Sequence, residues 1–176
     1  RNNKTQKKEF AESVSPPKKE PSKPALSLDT LLKKYAEPEL ATLVDHQPDG
    51  EAWIHEIKYA GYRLMAFVSD GKIVLRTRGG KDWTHKFEPL AKAIAMLNVD
   101  SAVFDLEACV LDQNGRTDFG ALQAALSDDE AEKIEGWIFD LLHFNDEDLG
   151  KKILIERKKL LEKLLRKVKS PIHYSG

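Results

Sequence analysis

The stretch Trp53-Ile54-His55-Glu56-Ile57-Lys58-Tyr59-Ala60-Gly61-Tyr62-Arg63 holds the strongest candidates for chemistry in this chain. Glu56 and Lys58 are two apart, so in an extended strand both side chains leave the same face. A lysine is ordinarily a solvated point charge. In a partly desolvated cleft, burial lowers the pKa of the amine until the neutral, nucleophilic form becomes available. The flanks favour that reading: Trp53, Ile54 and Ile57 read as core residues, and Gly61 lets the backbone turn or approach a ligand closely. The spacing therefore predicts a strand ending at Gly61, with the Lys58 amine just before the break and the Arg63 guanidinium just after it.

Three further stretches carry groups that could serve such an amine. Asp105 and Glu107, in Val103-Phe104-Asp105-Leu106-Glu107-Ala108, share one strand face. Two carboxylates amid apolar residues need a partner; a cation, a ribose hydroxyl pair or an arginine would each serve, and so would surface lysines. Arg78, in Leu75-Arg76-Thr77-Arg78-Gly79-Gly80, is either an exposed charge at a hairpin end or a fork for bidentate contact with phosphate. Phe139, in Trp137-Ile138-Phe139-Asp140, is by default a core residue of a strand. Cys109 and His55 read as structural. The sequence shows no Cys/His metal constellation, no Walker-type loop and no Ser/His triad.

The elements that position these groups follow from periodicity. Residues 27–35 predict a short helical turn. Residues 63–68 alternate as a strand, Asp70-Gly71 is a two-residue hairpin signal, and residues 72–78 read as the partner strand. Apolar residues at helical spacing predict an amphipathic helix over 85–97, a short helix over 119–126 capped by Asp118, and a helix over 155–168. Residues 102–111 and 137–142 read as buried strands. Hairpin-joined strands with interspersed helices make an α+β domain.

Composition bounds the rest. The 176 residues suffice for one domain with a real core. Residues 1–24 hold seven Lys/Arg against three Glu and four prolines, and read as a flexible basic linker or tail. The remainder is acidic, with 21 Lys/Arg against 26 Asp/Glu, so whole-chain charge gives no support to nucleic-acid binding and only local patches could. One cysteine fits a reducing compartment, and no apolar run approaches the length of a membrane span.

Glu56-x-Lys58-x-x-Gly61-x-Arg63 resembles the first nucleotidyltransferase motif of ATP-dependent DNA ligases, written Lys-x-Asp-Gly-x-Arg in that family. The likeness is strongest to the bacterial ligase D type of non-homologous end joining, and runs from about residue 37 to the C-terminus. The loop Thr77-Arg78-Gly79-Gly80-Lys81-Asp82-Trp83-Thr84 matches one written Thr-Arg-Asn-Gly-x-Asp-Trp-Thr, with Gly79 replacing the Asn. Leu40-Ala41-Thr42-Leu43 after Pro38 matches a stretch ahead of the nucleophile. The resemblance implies an ATP-grasp-like adenylation domain with ATP held between two sheets, residues 25–176 forming its N-terminal part. It makes Lys58 the nucleophile that takes AMP from ATP and passes it to a DNA 5′-phosphate. It also implies that Glu56 accepts from the adenine amino group with Ile57 main-chain atoms alongside, that Phe139 stacks on adenine, and that Arg63 and Arg78 lie near the ribose or DNA phosphates. Glu107 is implied as a ligand of the ribose or of Mg²⁺ (or Mn²⁺). Nicked or broken duplex DNA, a Ku-type end-binding protein and the polymerase or phosphoesterase domains of a longer ligase D are the implied partners, in a bacterial cytoplasm at the nucleoid, with no membrane.

Two departures qualify the likeness. Ala60 stands where the family carries Asp, and Leu106 replaces the Gly of Asp-Gly-Glu. The later Glu-Gly-x-x-x-Lys and Lys-x-Lys motifs and the OB domain do not follow within these residues, so the domain reads as C-terminally incomplete. The expectation is weak binding of adenine nucleotide without practical nick sealing, which Ala60→Asp alone does not restore. The competing readings are a non-catalytic nucleotide- or DNA-binding module with the ligase fold, and a related RNA ligase or capping nucleotidyltransferase.

Overall fold

The computed structural model describes residues 25–50 and 53–176; the linker expected over residues 1–24 lies outside them. The chain runs through α1 (Leu28–Lys34), β1 (Tyr62–Ser69), β2 (Lys72–Thr77), a 3₁₀ turn (Thr84–Phe87), α2 (Glu88–Ala95), β3 (Ser101–Cys109), α3 (Phe119–Ser127), β4 (Glu135–Phe144), β5 (Glu147–Asp148), α4 (Leu154–Leu165) and β6 (Ile172–Tyr174). The strands form one sheet in the order β2-β1-β3-β4-β5, antiparallel throughout, and β6 adds to β4 in parallel. Among the described residues there is this single sheet, where the resemblance implied two with the nucleotide between them.

The hairpin signal is physically exact in its consequence: Asp70 and Gly71 both take positive φ (49° and 72°). That is the requirement of a type I′ turn, whose twist matches that of the flanking strands. Asp118 caps α3 by accepting from the Ala121 N–H at 2.9 Å. The helix predicted over 85–97 divides into the 3₁₀ turn and α2, with Pro89 early in α2, where a missing N–H costs nothing.

The two faces of the sheet do different work. On one, Leu64, Ala66, Phe104, Leu106 and Ile138 meet Leu90 and Ile94 of α2, Leu122 of α3 and Leu161 of α4 in the main core. On the other, only one end is covered. There Leu31, the buried residue of α1, packs on Met65, Phe67 and Val103. The other end of this second face stays open, and the register places Arg63, Glu107, Trp137 and His173 side by side across four strands there.

The register between β3 and β4 slips twice. Leu106 pairs with Ile138 and Asp105 with Asp140, so Phe139 is an extra residue in a β-bulge. Bulges re-aim side chains locally. Here consecutive residues Phe139 and Asp140 are both half-buried, where plain alternation would bury one and expose the other.

Asp148 fastens α1 to the sheet: it accepts from the Tyr35 hydroxyl (2.9 Å), the Gly150 N–H (3.0 Å) and the Lys34 ammonium (2.8 Å). These donors, the Lys34 ammonium foremost, lower its pKa from 3.8 to about 2. A carboxyl whose folded pKa is depressed binds its proton more weakly than the unfolded chain does, so its stabilisation is present above pH 4 and lost between about 4 and 2. In urea titrations the stability advantage of this chain over Asp148→Asn is therefore expected to be full at pH 6 and to vanish near pH 2. A difference that stays flat across that range contradicts the assignment.

Candidate active site

Gly61 governs how the chain enters β1. Its Cα lies so close to β3 that a Cβ would sit 2.0 Å from the Ala108 carbonyl oxygen. No other residue fits. The close approach lets the Gly61 N–H donate to Glu107 Oε1 at 2.9 Å, which fixes that carboxylate at the open end of the sheet.

Above this point lies a cavity of about 890 Å³. Every residue that the sequence nominated lines it: Glu56, Ile57 and Lys58 on one side, Arg63, Glu107 and Phe139 on the floor, and Arg78 at the end of β2. Leu40, Tyr62 and Trp83 complete the walls, the last two in edge-to-face contact with ring centroids 5.3 Å apart.

The floor is held by buried charge. Arg63 donates from Nε (3.0 Å) and Nη2 (2.7 Å) to the two oxygens of Asp105, and Nη2 also reaches the Glu39 carbonyl (2.8 Å). The Asp105 hydrogen bonds raise the guanidinium pKa above its ordinary value. Asp105 thus takes an arginine, as one sequence reading allowed, and Glu107 takes a backbone N–H; surface lysines serve neither. Burial pushes the Glu107 carboxyl up, opposed first by the Gly61 N–H, then by Arg63, and least by Lys58. Arg63 also faces Phe139, with Cζ 5.4 Å from the ring centroid. Behind Phe139, Arg157 of α4 makes the matching fork to Asp140, at 2.8 Å twice.

The segment carrying the lysine is not the predicted strand. Residues 53–60 run without regular structure, and the strand begins only at Tyr62. Trp53, Ile54 and Ile57, expected in the core, are 55%, 40% and 68% exposed, and His55 is exposed too. With no neighbouring strand to pair with, alternation along this stretch assigns no inward face, which is why the sequence pattern misled. Lys58 is exposed at the cleft wall rather than desolvated on a rigid strand. What fastens the segment is its side chains. Tyr59 stacks on Trp137 (4.3 Å, 16°), which stacks in turn on His173 (4.6 Å, 22°), and Glu56 pairs with the buried ammonium of Lys158.

Those anchors escaped sequence reading. Tyr59 and Trp137 are 78 positions apart in numbering, and Lys158 stands in a Glu-Arg-Lys-Lys run that looks solvated. Among the described residues no three His, Cys, Asp or Glu side chains gather as a metal site. No closed carboxylate cage for an ion is built among the described residues.

The geometry makes Gly61→Ala a sharp test. The added methyl must displace β3 or lift the segment, breaking the Gly61–Glu107 contact, so a loss of about 1–3 kcal/mol in urea denaturation is expected. An unchanged midpoint would show that the close approach is not obligatory.

Comparison with known proteins agrees with this architecture. A family model described as the ATP dependent DNA ligase domain matches residues 25–175. The multifunctional non-homologous end joining protein LigD of Pseudomonas aeruginosa is 42% identical over 148 residues, which is 84% of this chain but only 18% of that protein. In solved structures, the ligase domain of Mycobacterium tuberculosis LigD superposes with a TM-score of 0.57 at 33% identity, covering 67% of this chain and 38% of that one. A mycobacterial DNA ligase D complexed with ATP and MES gives the same TM-score at 32% identity, with the same coverage. This chain belongs to the ATP-dependent DNA ligase domain family.

Proposed function

We propose that the cleft takes ATP and that Lys58 is the residue that carries AMP. The observation that supports this best is the convergence of all seven nominated residues on one cavity, of a size suited to a small ligand. The neutral ε-amine of Lys58 attacks the α-phosphate. An N–P bond forms, the P–O bond to pyrophosphate breaks, and a lysyl-AMP phosphoramidate remains. In a ligase that also carries the later motifs and the OB domain, AMP then passes to the 5′-phosphate of a nicked or broken duplex, and the neighbouring 3′-hydroxyl displaces it to join the strand. Splitting the reaction this way replaces one hard step by easier ones.

The roles are those that the resemblance implies, and the shared cavity supports them. Phe139, raised on its bulge, offers a ring face to adenine, and Glu56 accepts from its amino group beside the main chain of Ile57. Glu107 would face the ribose, and its carboxylate would be the residue to hold Mg²⁺ or Mn²⁺, which would offset phosphate charge. Arg63 has Nε and Nη2 committed to Asp105 and Glu39, which leaves Nη1 for the ligand. Arg78, also lining the cavity, supplies a guanidinium fork for phosphate. An exposed Lys58 suits a covalent carrier that must meet both ATP and DNA. The likeness to LigD supports end joining as the setting, with a Ku-type protein and the other domains of a longer ligase D as partners, at the bacterial nucleoid. Among the described residues no helix is long and apolar enough to cross a membrane.

Incubation with ATP and Mg²⁺ followed by peptide mass spectrometry tests the assignment. AMP is expected on the peptide containing Lys58 and nowhere else, and Lys58→Ala is expected to remove it. Ala60→Asp, which restores the carboxylate the family carries beside the nucleophile, is expected to raise the rate of adduct formation by on the order of 10², the scale of one oriented polar group. Adduct persisting in Lys58→Ala would overturn the reading.

A further inference from the structure

We propose that Lys158 is a positioning residue for base recognition: its buried ammonium holds the Glu56 carboxylate and the Phe139 bulge in the arrangement that receives adenine. The inference rests on the nucleotide reading above and assigns a task to a residue that does not itself line the cleft.

Lys158 lies on α4 and is 3% exposed. A buried ammonium is tolerated only when its three N–H donors are met. Here the acceptors are the Ser175 carbonyl at 2.8 Å, the Phe139 carbonyl at 3.2 Å and the Glu56 carboxylate. The Tyr174 ring lies 5.3 Å from Nζ and adds a fourth favourable contact. Each of the three acceptors belongs to a residue of the cleft lining, and each comes from a different part of the chain.

The Phe139 contact has a specific cause. Phe139 is the extra residue of the β3–β4 bulge, and bulge residues are left without ladder partners. Lys158 supplies the donor that its carbonyl lacks, and so fixes the peptide that aims the ring. The Glu56 contact has another. Residues 53–60 have no regular structure, so the carboxylate needs an external anchor. A carboxylate held this way offers acceptors, which is what an amino group of a base requires.

A role confined to stability explains less. Arg157, one residue earlier, already fastens α4 to β4 through its fork to Asp140. An apolar side chain at 158 would fill the space without desolvating a charge. What the ammonium adds is direction, toward two groups that touch the base.

The test compares the unchanged chain with Lys158→Met, Glu56→Gln and the double variant. Affinity is measured by calorimetry for ATP and for inosine triphosphate, which presents an oxygen where adenine has its amino group. Lys158→Met is expected to weaken ATP about tenfold, the scale of one charge-assisted hydrogen bond, and so to erase the preference for ATP over inosine triphosphate. Glu56→Gln should also erase that preference, and the double variant should be no weaker than Lys158→Met alone, because Glu56 acts through Lys158. In the ligand-free protein, trypsin should cut after Lys58 faster in both single variants. Equal weakening of both nucleotides, additive losses, or unchanged cleavage would overturn the proposal. Should Lys158→Met fail to fold, Glu56→Gln with Lys158 in place carries the same two readouts. If the unchanged chain binds no ATP, the nucleotide reading fails, and the trypsin arm still judges the anchor alone.

Discussion

The site depends on one close approach, the backbone of Gly61 against the Ala108 carbonyl of β3. Because no side chain fits there, the chain can cross from the loose segment 53–60 into β1 within van der Waals reach of its neighbour. That crossing sets the start of β1 and with it the register that puts Arg63 opposite Glu107. It also brings a backbone N–H to Glu107. A carboxylate that would otherwise sit half-buried without a donor is thereby aimed into the cleft.

Around this contact the open end of the sheet is organised by ionic groups and stacked rings rather than by aliphatic packing. Arg63–Asp105, Arg157–Asp140 and Lys158–Glu56 follow one another from β1 through β4 to α4. Ion pairs taken out of water are poor sources of net stability, since desolvation offsets most of their attraction. Their effect here is to fix directions: each pair orients a strand, a bulge or a loop whose next atoms face the cavity. The apolar work is done elsewhere, by the main core under the sheet and by Leu31 on the covered half of the upper face.

Much of this was legible in the sequence. Alternation marked β1, Asp70-Gly71 marked the hairpin to β2, buried apolar runs marked β3 and β4, and Asp118 marked the start of α3, because each is a local rule with a local cause. The nominated site residues could be named because their motifs resemble those of the ligase family, and the fold brought all seven to one cavity. What failed was the stretch 53–60, where apolar residues suggested a strand that has no partner to pair with. The bulge at Phe139 and the burial of Lys158 were invisible for a different reason. Both arise from register between segments distant in sequence, and neither leaves a mark in composition. Short β6, three residues joined in parallel to β4, was missed on the same grounds.

The central claim is that this cleft receives an adenine nucleotide between the Lys58 segment and the floor formed by Arg63, Glu107 and Phe139. Titration of the isotope-labelled chain with ATP, followed by amide chemical shifts, tests it most directly. The account predicts the largest changes at residues 56–63, 78–79, 107 and 139, with β5 and α3 silent. Changes centred elsewhere, or a spectrum indifferent to ATP at millimolar concentration, would contradict it.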